Sequence, residues 1–201
     1  MVKFLPIVSQ KYILLLAMSL ISGCTCWVRT WIPKEVKVGI KHCYDGTSSG
    51  LDSKIRIDGY YSLIQNFNRW DNALQKQVPA SQEIKLIFYS DGLFLWNYWR
   101  WGNYIVVGDT IKVNYYDPPC GMAWSGVEQW YLINPDKTLT KLFSTSMRNL
   151  TDARRSILVK ALELDSEINS IASFHESDSL QANCENWLLD AKWFRCKEGK
   201  K

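Results

Sequence analysis

A mostly β chain, folded as a small antiparallel up-and-down barrel of about eight strands with one amphipathic helix near its C-terminus, is the fold this sequence predicts. Three observations carry that expectation: successive hairpin signals between residues 84 and 143, a length that suits one domain, and ten Trp, ten Tyr and seven Phe in 201 residues. Aromatic side chains favour strands and bury large areas each, so a short chain rich in them can still build a core.

The hairpins are legible in order. Ile84 to Tyr89 and Leu93 to Trp96 flank Ser90-Asp91-Gly92, and Asp-Gly between apolar runs supplies the positive φ angles of a tight turn. Tyr104 to Val107 and Thr110 to Tyr115 flank Gly108-Asp109, which suits a two-residue turn. Gln129 to Ile133 and Thr138 to Phe143 flank Asn134-Pro135-Asp136-Lys137, where Pro135 pre-sets φ at the first corner. Six strands are thereby paired in sequence order, the order by which a closed barrel removes its edges.

The remaining elements follow from period. Val36, Val38 and Ile40 alternate with polar or small residues and predict a strand, as does Ile55 to Tyr61. Asn66 to Ser81 is expected to be a polar connection, since its amides and Pro79 argue against a central strand. Ile157, Leu158, Ala161 and Leu162 recur at helical spacing, with Thr151 or Asn149 as cap, and predict a helix packed on the barrel. Ile168 to His175 reads as a returning strand, and Asn186 to Asp190 as a short helical turn that brings Trp193 and Phe194 down as a plug.

The first 23 residues predict an address. Lys3 and Lys11 precede the apolar run Tyr12 to Ile21, too short for a spanning helix of about 20 residues, and Ser22-Gly23-Cys24 follows at once. Ile21-Ser22-Gly23-Cys24 resembles the lipobox of bacterial lipoproteins, which implies cleavage before Cys24 and acylation of its thiol by palmitate-type chains. Acyl chains bury about 0.8 kcal/mol per methylene and tether a domain without a transmembrane segment. The alternative is an ordinary signal peptide with a cysteine nearby. The expected organisation is a signal peptide over residues 1–23, a tether over 24–34, one barrel domain over 35–196 and a basic tail over 197–201. The expected place is the bacterial cell envelope, at the outer membrane. Thr25 is not the aspartate of an inner-membrane retention signal, and no acidic cluster follows Cys24, which leaves the leaflet open.

Loss of residues 1–23 leaves 178 residues and lowers the formal charge from +4 to +2, with basic and acidic residues interspersed. Nucleic acid is therefore not an expected partner. Besides Cys24 there are five cysteines, Cys26, Cys43, Cys120, Cys184 and Cys196, in a compartment where oxidation is permitted. Cys43 with Cys120 and Cys184 with Cys196 are the expected disulfides, and buried reduced thiols are the alternative.

Together, Ile57-Asp58-Gly59-Tyr60-Tyr61, Phe88-Tyr89-Ser90-Asp91-Gly92, Gly102-Asn103-Tyr104 with Gly108-Asp109-Thr110-Ile111, and Trp187-Leu188 with Lys192-Trp193-Phe194 resemble lipocalin-like lipoproteins of Bacteroides-type bacteria. The resemblance spans about residues 55 to 196. It implies a small calycin-type barrel with a hollow or aromatic-lined mouth and says little about chemistry.

No catalytic constellation is present in the sequence, so an enzyme is not expected, nor is a cofactor. His42 and His175 lie in no zinc-ligand spacing, and His42-Cys43, the sole adjacent pair of soft donors, reads as a loop histidine beside a disulfide or thiol rather than as a metal site. Ser125 lacks the flanking glycines of a nucleophile elbow, and Asp58, Asp91 and Asp109 sit where an aspartate satisfies turn amides. The candidate ligand site is Leu93 to Trp101, with Trp96, Trp99, Arg100 and Trp101, together with Trp124 in a second aromatic loop region. If one strand ran through it, Trp99 and Trp101 would share one face and Tyr98 and Arg100 the other. A ligand platform and a bulky core both fit such residues. The expected function is a non-catalytic, membrane-tethered barrel binding a small apolar or glycan ligand, and the alternative is a structural or accessory subunit of an envelope protein complex.

Overall fold

The computed structural model describes residues 32, 34–47, 50–117, 125–163, 170–180, 182 and 186–196. Eight antiparallel strands close a barrel in sequence order: β1 (Gly59–Asp71), β2 (Lys76–Phe88), β3 (Leu93–Trp96), β4 (Arg100–Val107), β5 (Thr110–Tyr116), β6 (Gly126–Ile133), β7 (Leu139–Ser146) and β8 (Ile171–Glu176). A single-turn helix α1 (Lys34–Lys37) precedes them, and helix α2 (Asp152–Glu163) lies between β7 and β8. All three expected hairpins form in register, with Phe88 opposite Phe94, Val107 opposite Thr110 and Ile133 opposite Leu139.

Up-and-down order puts the β1–β2, β3–β4, β5–β6 and β7–β8 connections at one end, the mouth, and the other hairpins at the opposite end. A 3₁₀ turn at Leu51–Ser53 closes that opposite end. Leu51 and Ile55 are buried among Tyr61, Leu63, Leu86, Phe88 and Phe94 inside the barrel, while Lys54 reaches the Gly108 carbonyl and Asp109 at the β4–β5 turn. The plug is therefore this segment and not Trp193 and Phe194, which pack on the outer wall.

That outer wall carries a second core. The outward faces of β2 to β5 present Ile87, Leu93, Leu95, Trp101 and Tyr116, covered by Ile32 and Val36 on one side and Leu188, Ala191 and Phe194 on the other. The two covering segments meet: the Tyr44 N–H donates to Phe194 O at 2.9 Å, the Cys196 N–H donates to Tyr44 O at 2.8 Å, and Cys43 is disulfide-bonded to Cys196. This replaces the expected pairing of Cys43 with Cys120 and of Cys196 with Cys184, because residues distant in sequence become neighbours along that bridge. Cys120 and Cys184 lie outside the described residues, as do Cys24, Cys26 and the expected signal peptide.

Three further expectations are corrected. Val36, Val38 and Ile40 form no strand: Val36 is buried from α1, and Val38 is exposed in the turn after it. Asn66 to Ser81 is not a connection but most of a long hairpin, β1 against β2, paired from Tyr61–Leu86 out to Asp71–Lys76. Past the buried pair Leu63–Ile84 it has no barrel beneath it, so its side chains lack the apolar alternation of a half-buried strand, and Pro79 sits where β2 has become an edge, the setting in which proline is tolerated. Helix α2 forms where expected, capped at Thr151, whose Oγ1 accepts from the Arg154 N–H, but Ile157 is 67 % exposed and no described side chain of α2 is buried. Polar contacts hold it instead. Arg155 pairs with Glu128 on the outer face of β6 at 2.8 and 2.7 Å, Trp130 Nε1 donates to the same carboxylate, and Lys41 binds Asp152 at 2.8 Å.

Candidate functional site

The aromatic stretch does not run through one strand. It breaks at Asn97–Trp99 into the β3–β4 turn, with Asn97 and Tyr98 at φ 50° and 66°. Asparagine adopts that left-handed region readily and a tyrosine does so at some cost, so the sequence signal for this turn is weak. The break resets the alternation. Trp101 is 2 % exposed and faces outward into the second core, stacked on Tyr89, whereas Trp99 is 44 % exposed at the mouth. The two do not share a face.

Trp96, Trp99 and Arg100 do come together. Trp96 and Arg100 are cross-strand partners, and the guanidinium lies 4.6 Å from the Trp96 ring centroid and 4.3 Å from that of Trp99. Tyr115 from β5 stacks on Trp96 at 5.7 Å with 10° between the planes, and Asp117 at the end of β5 pairs with Arg100. Gly102, facing inward beside them, is required by this packing: a Cβ there would run into the Asn114 carbonyl, and its absence lets the Phe94 and Tyr115 rings approach to 5.9 Å. The cluster is thus a planar cation held between indoles and anchored by one carboxylate, an arrangement in which each cation–ring contact contributes roughly 0.5–2 kcal/mol. Burial pushes the Asp117 carboxyl up and Arg100 opposes that shift.

Below the cluster the barrel interior is apolar with a few polar atoms. Among the described residues Gln129 Oε1 and the Tyr131 hydroxyl are buried without a hydrogen-bond partner, and burial holds the Tyr131 hydroxyl far above its ordinary range. Lys141, the cross-strand partner of Tyr131, shares its inward face, and burial lowers its pKa. Unpartnered buried polar groups are costly.

Tyr115 and Asp117 belong to this site beyond the residues singled out as ligand candidates. The alternation Ile111, Val113, Tyr115 places Tyr115 inward, a signal present in the sequence, but nothing in it pairs Asp117 with Arg100. Trp124 lies outside the described residues. His42 faces a separate cleft on the outer wall with Lys41, Lys112, Glu128, Trp130 and Arg155, and its neighbour Cys43 is committed to the disulfide. Among the described residues no group of three His, Cys, Asp or Glu could hold a metal ion. Asp91 caps its own turn, accepting from the Leu93 N–H at 3.1 Å, and also accepts from the Tyr44 hydroxyl. Asp58 is paired with Arg56. Comparison with protein families, with curated proteins and with solved structures found no match.

Proposed function

We propose that this chain is an envelope lipoprotein, acylated at Cys24, whose lipocalin-like barrel binds a small ligand at its mouth without catalysing a reaction. One observation carries the binding reading: Arg100 against the Trp96 and Trp99 rings at the end of the barrel away from the 3₁₀ plug, with Asp117 beside it. Indole faces stack on sugar rings or on apolar chains, and a paired Arg and Asp supply donors and acceptors in one plane, as hydroxyl recognition requires. The ligand class is thus a glycan or a small amphiphile with an apolar part. The lipoprotein part rests on the lipobox-like Ile21-Ser22-Gly23-Cys24 and the short apolar run before it.

Two measurements test this. Tryptophan-fluorescence titration against pooled glycans and pooled lipids should show saturable binding that Trp99→Ala weakens about tenfold, the effect of losing ~1.4 kcal/mol of ring contact. No response to any pool overturns the binding reading. Metabolic labelling with a radioactive fatty acid should mark the chain and fail to mark Cys24→Ala, and label retained by that variant sinks the anchor. A second reading, an accessory subunit of an envelope complex, draws on Ile64, Phe67, Trp70 and Leu74, apolar side chains exposed along the β1–β2 hairpin.

A further inference from the structure

The outer part of the β1–β2 hairpin takes no part in the mouth. Beyond the buried pair Leu63–Ile84 it continues for eight more residue pairs to Asp71–Lys76, about 27 Å at the usual strand rise. Among the described residues β8 pairs with β1 only at Gly59 to Ser62, and β3 with β2 only at Leu86 to Phe88, so this ribbon has both edges open. Its composition changes along its length. Gln65, Asn66, Asn68, Ser81 and Gln82 make a mostly polar shaft, interrupted by Ile64 and Phe67 at 54 % and 41 % exposed, whereas at the tip Trp70 and Leu74 are 57 % and 58 % exposed, with Arg69 and Lys76 exposed beside them. The tip is a built turn: Asp71 Oδ1 accepts from the backbone N–H groups of Ala73 and Leu74 at 2.9 and 3.1 Å, which fixes Leu74 outward.

The ribbon leaves the barrel at the mouth end, and the single-turn helix α1 packs at that end too. Val36 of α1 packs on Gly126 beside Tyr116, and the Asn149 N–H donates to Glu35 O at 2.9 Å, all at the mouth end, after which the chain runs to Tyr44 at the far end. Cys24 precedes Ile32 by eight residues, which span at most about 29 Å. A tether of that maximum reach is long enough to let acyl chains and a ribbon about 27 Å long meet the same bilayer.

We infer that the ribbon tip is a second contact with the bilayer, in which Trp70 and Leu74 enter the interfacial layer and Arg69 and Lys76 lie at the depth of the lipid phosphates. The inference rests on the reading of Cys24 as the lipid anchor. Tryptophan is enriched at that depth, and basic side chains favour it. The occupant is lipid and not a protein face because the apolar groups at the tip do not share a face: Trp70 projects from one face of the ribbon and Leu74 from the turn at its end. Entry stops at the interface, since the open strand edges carry backbone groups that hydrocarbon cannot satisfy. The mouth, with Trp99 and Arg100, then faces the bilayer.

Photocrosslinking in vesicles tests this with the full chain. Benzoylphenylalanine replaces Trp70, Leu74 or, on the shaft, Asn66, and each protein is reconstituted in phosphatidylethanolamine–phosphatidylglycerol vesicles containing a radioactive phospholipid. Lipid adducts are expected at positions 70 and 74 and lost at 66. Equal labelling at all three positions, no lipid label at the tip, or a tip adduct to protein instead, whether a second copy or an envelope partner, overturns the inference. Fatty-acid labelling of the same samples reads the anchor separately: acylated protein without tip adducts defeats the ribbon alone, and tip adducts on unacylated protein defeat the anchor alone.

Discussion

Two cores share one barrel wall, and they are buried by different means. The inner core is made by strands that are neighbours in sequence: Phe88, Phe94, Tyr104, Val113, Tyr131 and their neighbours meet once consecutive hairpins close. The outer core exists because chain from both ends folds over β2 to β5, so that Leu95, Trp101 and Tyr116, which point away from the interior, are as dry as the residues inside. An antiparallel strand with one wet face alternates apolar and polar residues, and β3 (Leu93-Phe94-Leu95-Trp96) does not, because both its faces are covered. Trp99 and Trp101 stand two residues apart and fall on opposite sides of this distinction.

The largest effect is expected from the outer core. Trp101→Ala should cost about 3–5 kcal/mol, the range for a buried Trp truncated in a packed site. For a chain of this length that lowers the melting temperature by roughly 6–20 °C. A loss within the scatter of surface substitutions would show that the terminal segments do not seal this wall. Next comes the staple that joins those segments. Cys43→Ser with Cys196→Ser should cost about 2–5 kcal/mol. Hydrogen exchange should accelerate at Leu188 to Cys196 before it does in β4 and β5, and uniform acceleration would mean that the two cores unfold as one.

At the mouth, Trp99→Ala should cost about 0.5–2 kcal/mol, the worth of its contact with Arg100 and well below the loss at Trp101. Thermal unfolding beside Trp101→Ala gives the contrast directly, and equal losses would erase it. The smallest effect concerns pH. Burial, with Lys112, Arg155 and Lys41 adding to it and Glu128 opposing, lowers the pKa of His42 below 6.5. The folded state therefore binds fewer protons than the unfolded chain below that value, so stability is full above pH 6.5 and falls as pH drops through the folded pKa. His42→Asn should flatten that part of the denaturation profile, and an unchanged slope would assign it to other groups.

The hairpin turns were legible because each is written in a few adjacent residues: Asp91-Gly92, Gly108-Asp109 and Asn134-Pro135 fix local backbone angles that no distant contact alters. The helix at Asp152–Glu163 was legible for the same reason, through its cap, but its face was not. Arg155 reaching Glu128 decides how it lies, and that pair joins residues from separate elements.

What the sequence determined by itself was the class of fold and the order of its strands, both set by local backbone preference and side-chain period. Tertiary structure alone decided which cysteine meets Cys43, which tryptophan faces water, and that Asn66 to Ser81 stands out as a ribbon instead of crossing the barrel. Those outcomes depend on what covers each strand face, and the covering groups come from chain far away in sequence: Phe194 against Tyr116, Asp117 beside Arg100, and nothing among the described residues over the edges of the ribbon. Period and propensity describe one segment at a time, whereas burial is a property of pairs of segments that only the closed barrel brings together.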